Sequence, residues 1–375
     1  MRAYPRLFLC IITLSLVATG WSSVDNEEVQ ALSPTRESLF VDCNTLSFLK
    51  NNEYFGPYLA GHTLAGYQLH PHLKYATSSG VITKLGLWLQ QDWASPKFFS
   101  PLSPAFTLQY QSGATALLLG TLDGMDQHRL LRPLCDTERI LTQAPETGLR
   151  IHHTSKTTFV DLWLHWLTLL DTRNNIPEEL LAGFSCEQLL AKGDGFTIQL
   201  PLQVLLYHRG GQGIVIKDYS LWMGAVGGRM NFHIGERSFL RDCSLAMYYV
   251  ANQYVKKPKR PMQKGHGLYG EVTCDAAWLT LQISYWYAYG FTSENLGHPL
   301  YQTHAGTEYL TTPQDLYRHL IFLHITGTYH LTDALTFVVH VDPYYDLRHR
   351  LLEHEAGLYL RYNLAFKLLD RENKL

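Results

Sequence analysis

The 375-residue sequence carries 31 Lys and Arg against 33 Asp and Glu, a formal net charge of -2. A balance this close to zero excludes nucleic-acid binding by bulk positive charge. Charged residues reach only 17% while aromatics reach 13%, with 23 Tyr and 8 Trp; that is far from a soluble domain and close to a lipid-facing band with interfacial girdles.

Arg2 and Arg6 precede an almost wholly apolar stretch, Leu7 to Val17, followed by small residues at Ala18, Thr19 and Gly20. This pattern reads as a cleaved signal peptide over residues 1–22, too short to span as a helix. Residues 23–37 then form a periplasmic segment, 38–368 a transmembrane barrel and 369–375 a periplasmic tail. No later stretch approaches the roughly 18 apolar residues of a spanning helix. With Cys10 in the signal, Cys43, Cys135, Cys186, Cys243 and Cys274 remain, an odd number without zinc-ligand spacing. Cys243 and Cys274 fall on lipid-facing positions as small hydrophobes.

A first strand is expected within 38–50, with Asn51 to His62 as the first external loop. From Thr63 onward the chain alternates with period 2. Ala65, Tyr67, Leu69, Pro71, Leu73 and Tyr75 share one face, and Gly66, Gln68, His70, His72 and Lys74 the other. Phe196 to Leu206, 277–291 and Leu358 to Leu368 repeat the pattern. Side chains alternate across a strand, and these runs exceed the roughly 5 to 6 residues of a soluble strand. Short turn-rich links near 78–80, 112–113, 155–156, 192–195, 235–237, 276 and 331–333 alternate with longer segments at 94–102, 123–147, 171–178, 209–218, 254–266, 292–317 and 345–356. Short periplasmic turns alternating with long external loops are the arrangement of bacterial barrels. The fold expected is therefore an all-β, single-chain antiparallel transmembrane barrel of about 16 strands, with 14 as the alternative.

The stretches Asn51 to Pro57 and Gly61 to Tyr67 resemble the opening of a Bacteroidota family of porin-like outer-membrane β-barrels. Leu119 to Leu122, His128 to Leu130, Tyr207 to Gly211 and Asp342 to Arg348 fit it as well. The resemblance implies fold and compartment, the outer membrane, and carries no active site.

The polar strand faces place His70, His72, Lys74, Lys84, Arg150, His152, Asp161, His165, Gln199, Gln203, Arg229, Asp242, Glu271, Asp275, Gln282, His324, His340, Asp342 and Arg361 in the lumen. Such a lining either holds water and selects solutes or forms a static network that plugs the barrel. Within loop 123–147, His128, Arg129, Arg132, Asp136, Glu138 and Arg139 interleave with apolar residues and would constrict the pore if the loop folds inward. The basic run Lys256 to Lys264 suits lipopolysaccharide phosphates or simple solvation. His153-Thr154-Ser155 looks like part of the site of barrel lipid A deacylases, yet Ser155 falls at a periplasmic turn, opposite the outer leaflet. The leading expectation is a porin passing small hydrophilic solutes, with no catalytic residues, metal or cofactor. The alternatives are a non-conducting barrel that docks envelope or secretion partners, and an outer-membrane lipid hydrolase. Lipid and lipopolysaccharide are the expected neighbours, a homo-oligomer suits a porin, and no nucleic acid is expected.

Overall fold

The computed structural model describes residues 37–122, 124–215, 218–235, 238–256, 263–303 and 316–371. The expected signal peptide lies outside these residues, as do Lys257 to Met262 of the basic run. Sixteen antiparallel strands close into one barrel. They are β1 (Glu37–Glu53), β2 (His62–Ala76), β3 (Val81–Asp92), β4 (Leu102–Ser112), β5 (Thr115–Thr121), β6 (Thr147–Thr154), β7 (Thr158–Thr168) and β8 (Glu178–Gly193), then β9 (Phe196–Gly210), β10 (Tyr219–His233), β11 (Leu240–Lys256), β12 (Lys264–Ala276), β13 (Leu279–Tyr289), β14 (Tyr317–His330), β15 (Leu335–Asp346) and β16 (Leu351–Arg371). Each strand pairs with its chain neighbours, and β16 closes on β1. In hydrocarbon every backbone N–H and C=O must bond within the protein, and closure removes the free edges.

Alternation decides which side chain meets lipid. Leu85, Met247 and Ile283 point outward, 57–65% exposed, whereas Asp161, Gln203 and Asp342 point inward and are buried. Tyr285, Tyr287, Tyr289 and Tyr317 gather at the external ends of β13 and β14, and Trp278 stacks on Tyr329 at the periplasmic end. These are the interfacial positions that Tyr and Trp favour. Cys243 and Cys274 oppose each other on the outward face of β11 and β12, their sulfurs 2.7 Å apart.

The lumen is not empty. The segment between β5 and β6, with a 3-10 turn at Met125–His128 and the short helix α1 (Arg139–Thr142), bonds to side chains of β1, β7, β8, β9 and β15. A segment tied to strands that far apart around a closed barrel crosses its interior. It meets Leu296 and Leu300 of the β13–β14 loop in one buried apolar cluster with Leu181, Leu205, Leu221, Met223 and Trp286. Asp136 N donates to Leu296 O at 2.7 Å, fixing the two loops together.

Candidate active site at a gap in the barrel wall

Charge pairs hold the crossing segment in place. His128, fully buried, sits 2.7 Å from Asp161 Oδ2 through Nδ1 and 2.7 Å from Glu146 Oε2 through Nε2, and it stacks on Trp163 at 3.7 Å. Arg150 grips Asp161 with two bonds of 2.9 Å, a bidentate geometry that favours Arg. Arg129 pairs with Glu187 at 2.7 Å and lies over the Phe159 ring. Arg132 reaches Asp342 at 3.1 Å, and Glu138 takes Lys50 at 2.7 Å, Asn52 at 2.8 Å and His62 at 2.7 Å. Burial disfavours the His128 imidazolium, yet its bonds to Asp161 and Glu146 raise its pKa above the usual 6.5. Burial likewise opposes the Glu146 carboxylate, but the bond from His128 and the nearby His165 ring hold its pKa down to about 2. Both groups are therefore ionised at mildly acidic pH.

Beside this anchor the wall has a gap. β5 and β6 have 7 and 8 residues, against 11 or more in the other strands. At ~3.3 Å per residue and a tilt of ~40°, seven residues rise roughly 18 Å, short of the ~25 Å apolar band. Both strands reach their periplasmic turns, so the deficit lies at the external side. There β4 has residues 102–106 without β5 partners, and β7 rises past its last β6 pair, His165 with Gly148. Gly120 and Gly148 oppose each other in register at the base of the gap. A Cβ there would lie 2.2 Å from Phe106 O and 1.9 Å from Leu164 O, so only glycine lets the wall close up at this bend.

A cavity of ≈ 440 Å³ occupies the gap. Inward-facing Trp88, Ala105 and His165 line it together with outward-facing Pro104 and Trp166, so it joins the lumen to the lipid side. Ser103, Thr121 and Thr147 add hydroxyls, and Glu179 a carboxylate. His165 Nδ1 stands 3.4 Å from Glu146 Oε1. The two atoms make no hydrogen bond at this spacing; a carboxylate facing Nδ1 still favours the tautomer with the proton there and leaves Nε2 as the basic nitrogen. The site thus combines a positioned base, hydroxyls, an apolar wall and a lateral opening, which suits hydrolysis of an ester carried by a membrane lipid.

All nineteen residues assigned to the lumen fall on the inward strand faces, with Asp242 half exposed at the periplasmic mouth beside His233 and Arg361 exposed as well. The six loop residues fold inward; Asp136 caps the Glu138 N–H, and Arg139 donates to Gln143 Oε1 at 2.9 Å. Glu146 escaped the sequence reading because it sits in a loop beside Pro145, with no local pattern. Only the register between β6 and β7 places it next to His165. The His153–Ser155 pairing does not form: His153 bonds Thr115 Oγ1 at 2.9 Å, while Ser155 Oγ donates to Thr158 O within the turn. Across the barrel, Ser284 Oγ lies 3.4 Å from His324 Nε2, and His324 Nδ1 lies 3.0 Å from Asp342. The spacing is that of a hydrolytic relay, but Ser284 is 1% exposed and leaves no room for an ester. His340, Asp342 and Glu355 converge as metal ligands would; Lys50 and Arg132 already neutralise the two carboxylates at 3.0 and 3.1 Å.

Among solved structures, the chain is similar to OprD of Pseudomonas aeruginosa, with a TM-score of 0.52 and 9% identity over 88% of this chain and 95% of that one. It is also similar to the loop L8 deletion mutant of OmpT from Vibrio cholerae, with a TM-score of 0.50 and 9% identity over 88% and 99%. In-vitro folded OmpT in its trimer form gives 0.50 and 8% over the same shares. These likenesses concern the outer-membrane barrel fold. No curated protein matches the chain. A family model described as lipid A 3'-O-deacylase-type matches residues 29–371. That match is to an enzyme family and overturns the expectation that the chain performs no chemistry. Since it runs from before β1 to the end of β16, the chain belongs to the lipid A 3'-O-deacylase-type family.

Proposed function

We propose that this outer-membrane protein hydrolyses an ester-linked acyl chain of lipid A, the 3'-O-linked chain that its family description specifies, at the gap above β5 and β6. The observation that carries the reading is the cavity that opens across the wall with the His165–Glu146 pair on its inner side. Acyl chains remain in the membrane along the outward face, and the sugar reaches over the low rim. His165 takes a proton from water as the water oxygen bonds to the ester carbonyl carbon. The bond between that carbon and the sugar oxygen then breaks, and the proton passes from His165 to the departing oxygen. The products are a fatty acid and a free hydroxyl, with atoms and charge balanced. The porin reading is less well supported, because the crossing segment runs through the lumen and ties strands of its wall together with paired charges and apolar packing.

The test is mass spectrometry of lipid A incubated with the purified full-length barrel. The expected product has lost one ester-linked acyl chain from the 3' position. General-base contributions are on the order of 10² to 10⁴, so His165→Gln is expected to slow the reaction at least a hundredfold while the barrel still migrates as a folded, heat-modifiable species. Unchanged lipid A with the wild-type barrel, or full activity in His165→Gln, would overturn the proposal.

A further inference from the structure

A second cavity, ≈ 330 Å³, lies within the lumen between the wall and the crossing segment. It shares Trp88, Ala105, Thr121 and Gln143 to Pro145 with the cavity in the gap, so the two adjoin around that short stretch. Its charge is lopsided. Lys84, Arg139 and Arg361 line it, joined by His70 and by His72, which Asp42 faces at 3.5 Å, and among the described lining residues the carboxylate is Glu146. That carboxylate is already engaged by His128 at 2.7 Å and His165 at 3.4 Å.

Arg139 is the informative residue. It is 5% exposed, and its one bond is from Nε to the neutral amide oxygen of Gln143. Among the described residues no carboxylate pairs with Arg139 or with Arg361. Removing a guanidinium from water is costly unless an opposite charge meets it, and every other deeply buried Arg among the described residues has that partner: Arg150 with Asp161, Arg318 with Asp346. The remaining donors of Arg139 are left for something in the cavity. Asn44 and Asn363, opposed in register between β1 and β16, add amide donors on the same wall, and Gln68 and Gln127 two more.

We infer that this cavity is an anion site built for a phosphate group, with Arg139 and Arg361 as its charged donors. Planar guanidinium forks suit phosphate oxygens, and the volume accommodates such a group with its water. The phosphate has two sources of the same chemistry: free phosphate, or the phosphorylated end of a lipid headgroup leaning in through the gap. The second source rests on the function proposed above; the site itself does not.

The experiment is calorimetric titration of the full-length barrel in neutral detergent with inorganic phosphate, then with Arg139→Gln and Arg361→Gln. Arg361 is exposed and bonds no side chain among the described residues, so its variant is expected to retain the fold. Binding by the wild type that weakens roughly tenfold or more in each variant is expected. No heat of binding from the wild type, or equal affinity in both variants, would overturn the site. Competition identifies the source. Displacement of phosphate by phosphorylated lipid A but not by the dephosphorylated lipid assigns the site to a headgroup, and no displacement by either assigns it to free phosphate. Because this readout needs no deacylation, loss of the site and loss of the hydrolase reading are told apart.

Discussion

At the scale of single residues, the anchor around Asp161 shows what alternation can and cannot reveal. Asp161, Arg150 and His165 are recognisable as lumen residues because each sits on the polar face of a strand with a clean period of two. Their partners are less visible. Glu187 and Glu146 come from β8, whose two faces are both partly apolar, and from a loop. The physical reason is that inward residues such as Leu181 and Leu205 pack against the crossing segment rather than against water, and the contrast between faces fades there. Asp161→Asn keeps the shape and removes the charge that Arg150 and His128 share. Leaving Arg150 buried beside a neutral amide is expected to cost about 3–5 kcal/mol. A lowered midpoint in denaturant unfolding, read by tryptophan fluorescence and gel mobility, would register it; an unchanged midpoint would mean that water enters to replace the carboxylate.

At the scale of elements, the sixteen strands and their alternating short and long links are legible because a spanning strand has no choice about which side chains meet lipid. The gap is harder to read from those links. The residues between the turn at 112–113 and the loop beginning at 123 are about as many as a spanning strand needs, and it is the structure that ends β5 at Thr121. What the sequence does not convey is where the long loop goes, since its direction depends on pairings with Asp342, Glu187 and Lys50, each more than fifty residues away. Those pairings give the loop a pH window. His128 has a raised pKa, so its contribution is complete below the unfolded value of about 6.5 and is lost as pH rises through the folded value. Glu146 has a depressed one, so its contribution is complete above an unfolded value of about 4.3 and is lost only as pH falls toward about 2. The segment is therefore held most firmly between roughly pH 4.3 and 6.5. After correction for intrinsic exchange, hydrogen exchange across 124–146 is expected to accelerate as pH is raised above neutrality, while the amides of β1 and β16 stay protected. Uniform protection across that range would show that the charge pairs do not control docking.

At the scale of the whole molecule, two uses of one barrel make opposite demands on the interior. A diffusion pore of sixteen strands needs water along its axis, and a lipid hydrolase needs a rigid inner wall behind a lateral opening. Here the segment between β5 and β6 joins strands on several sides of the barrel and packs into a buried apolar cluster with the β13–β14 loop. The motifs that carry the family resemblance gather at the same place: Asn52 bonds Glu138, Tyr54 bonds Glu355, Asp342 holds Arg132, and Asp346 pairs with Arg318. Residues that would be expendable in an open pore are the ones that fix the plug. The purified barrel in a planar bilayer is accordingly expected to give no stepwise conductance at neutral pH. Removing 123–146, with a short Gly-Ser link from Leu122 to Thr147, is expected to produce openings that grow with salt and to abolish deacylation, since Glu146 leaves with the segment. Conductance from the intact chain would restore a passage for solutes through the lumen. Silence from both proteins would place the seal in the β13–β14 loop, where Trp286 bonds Tyr301 O and Phe322 stacks on the Tyr301 ring.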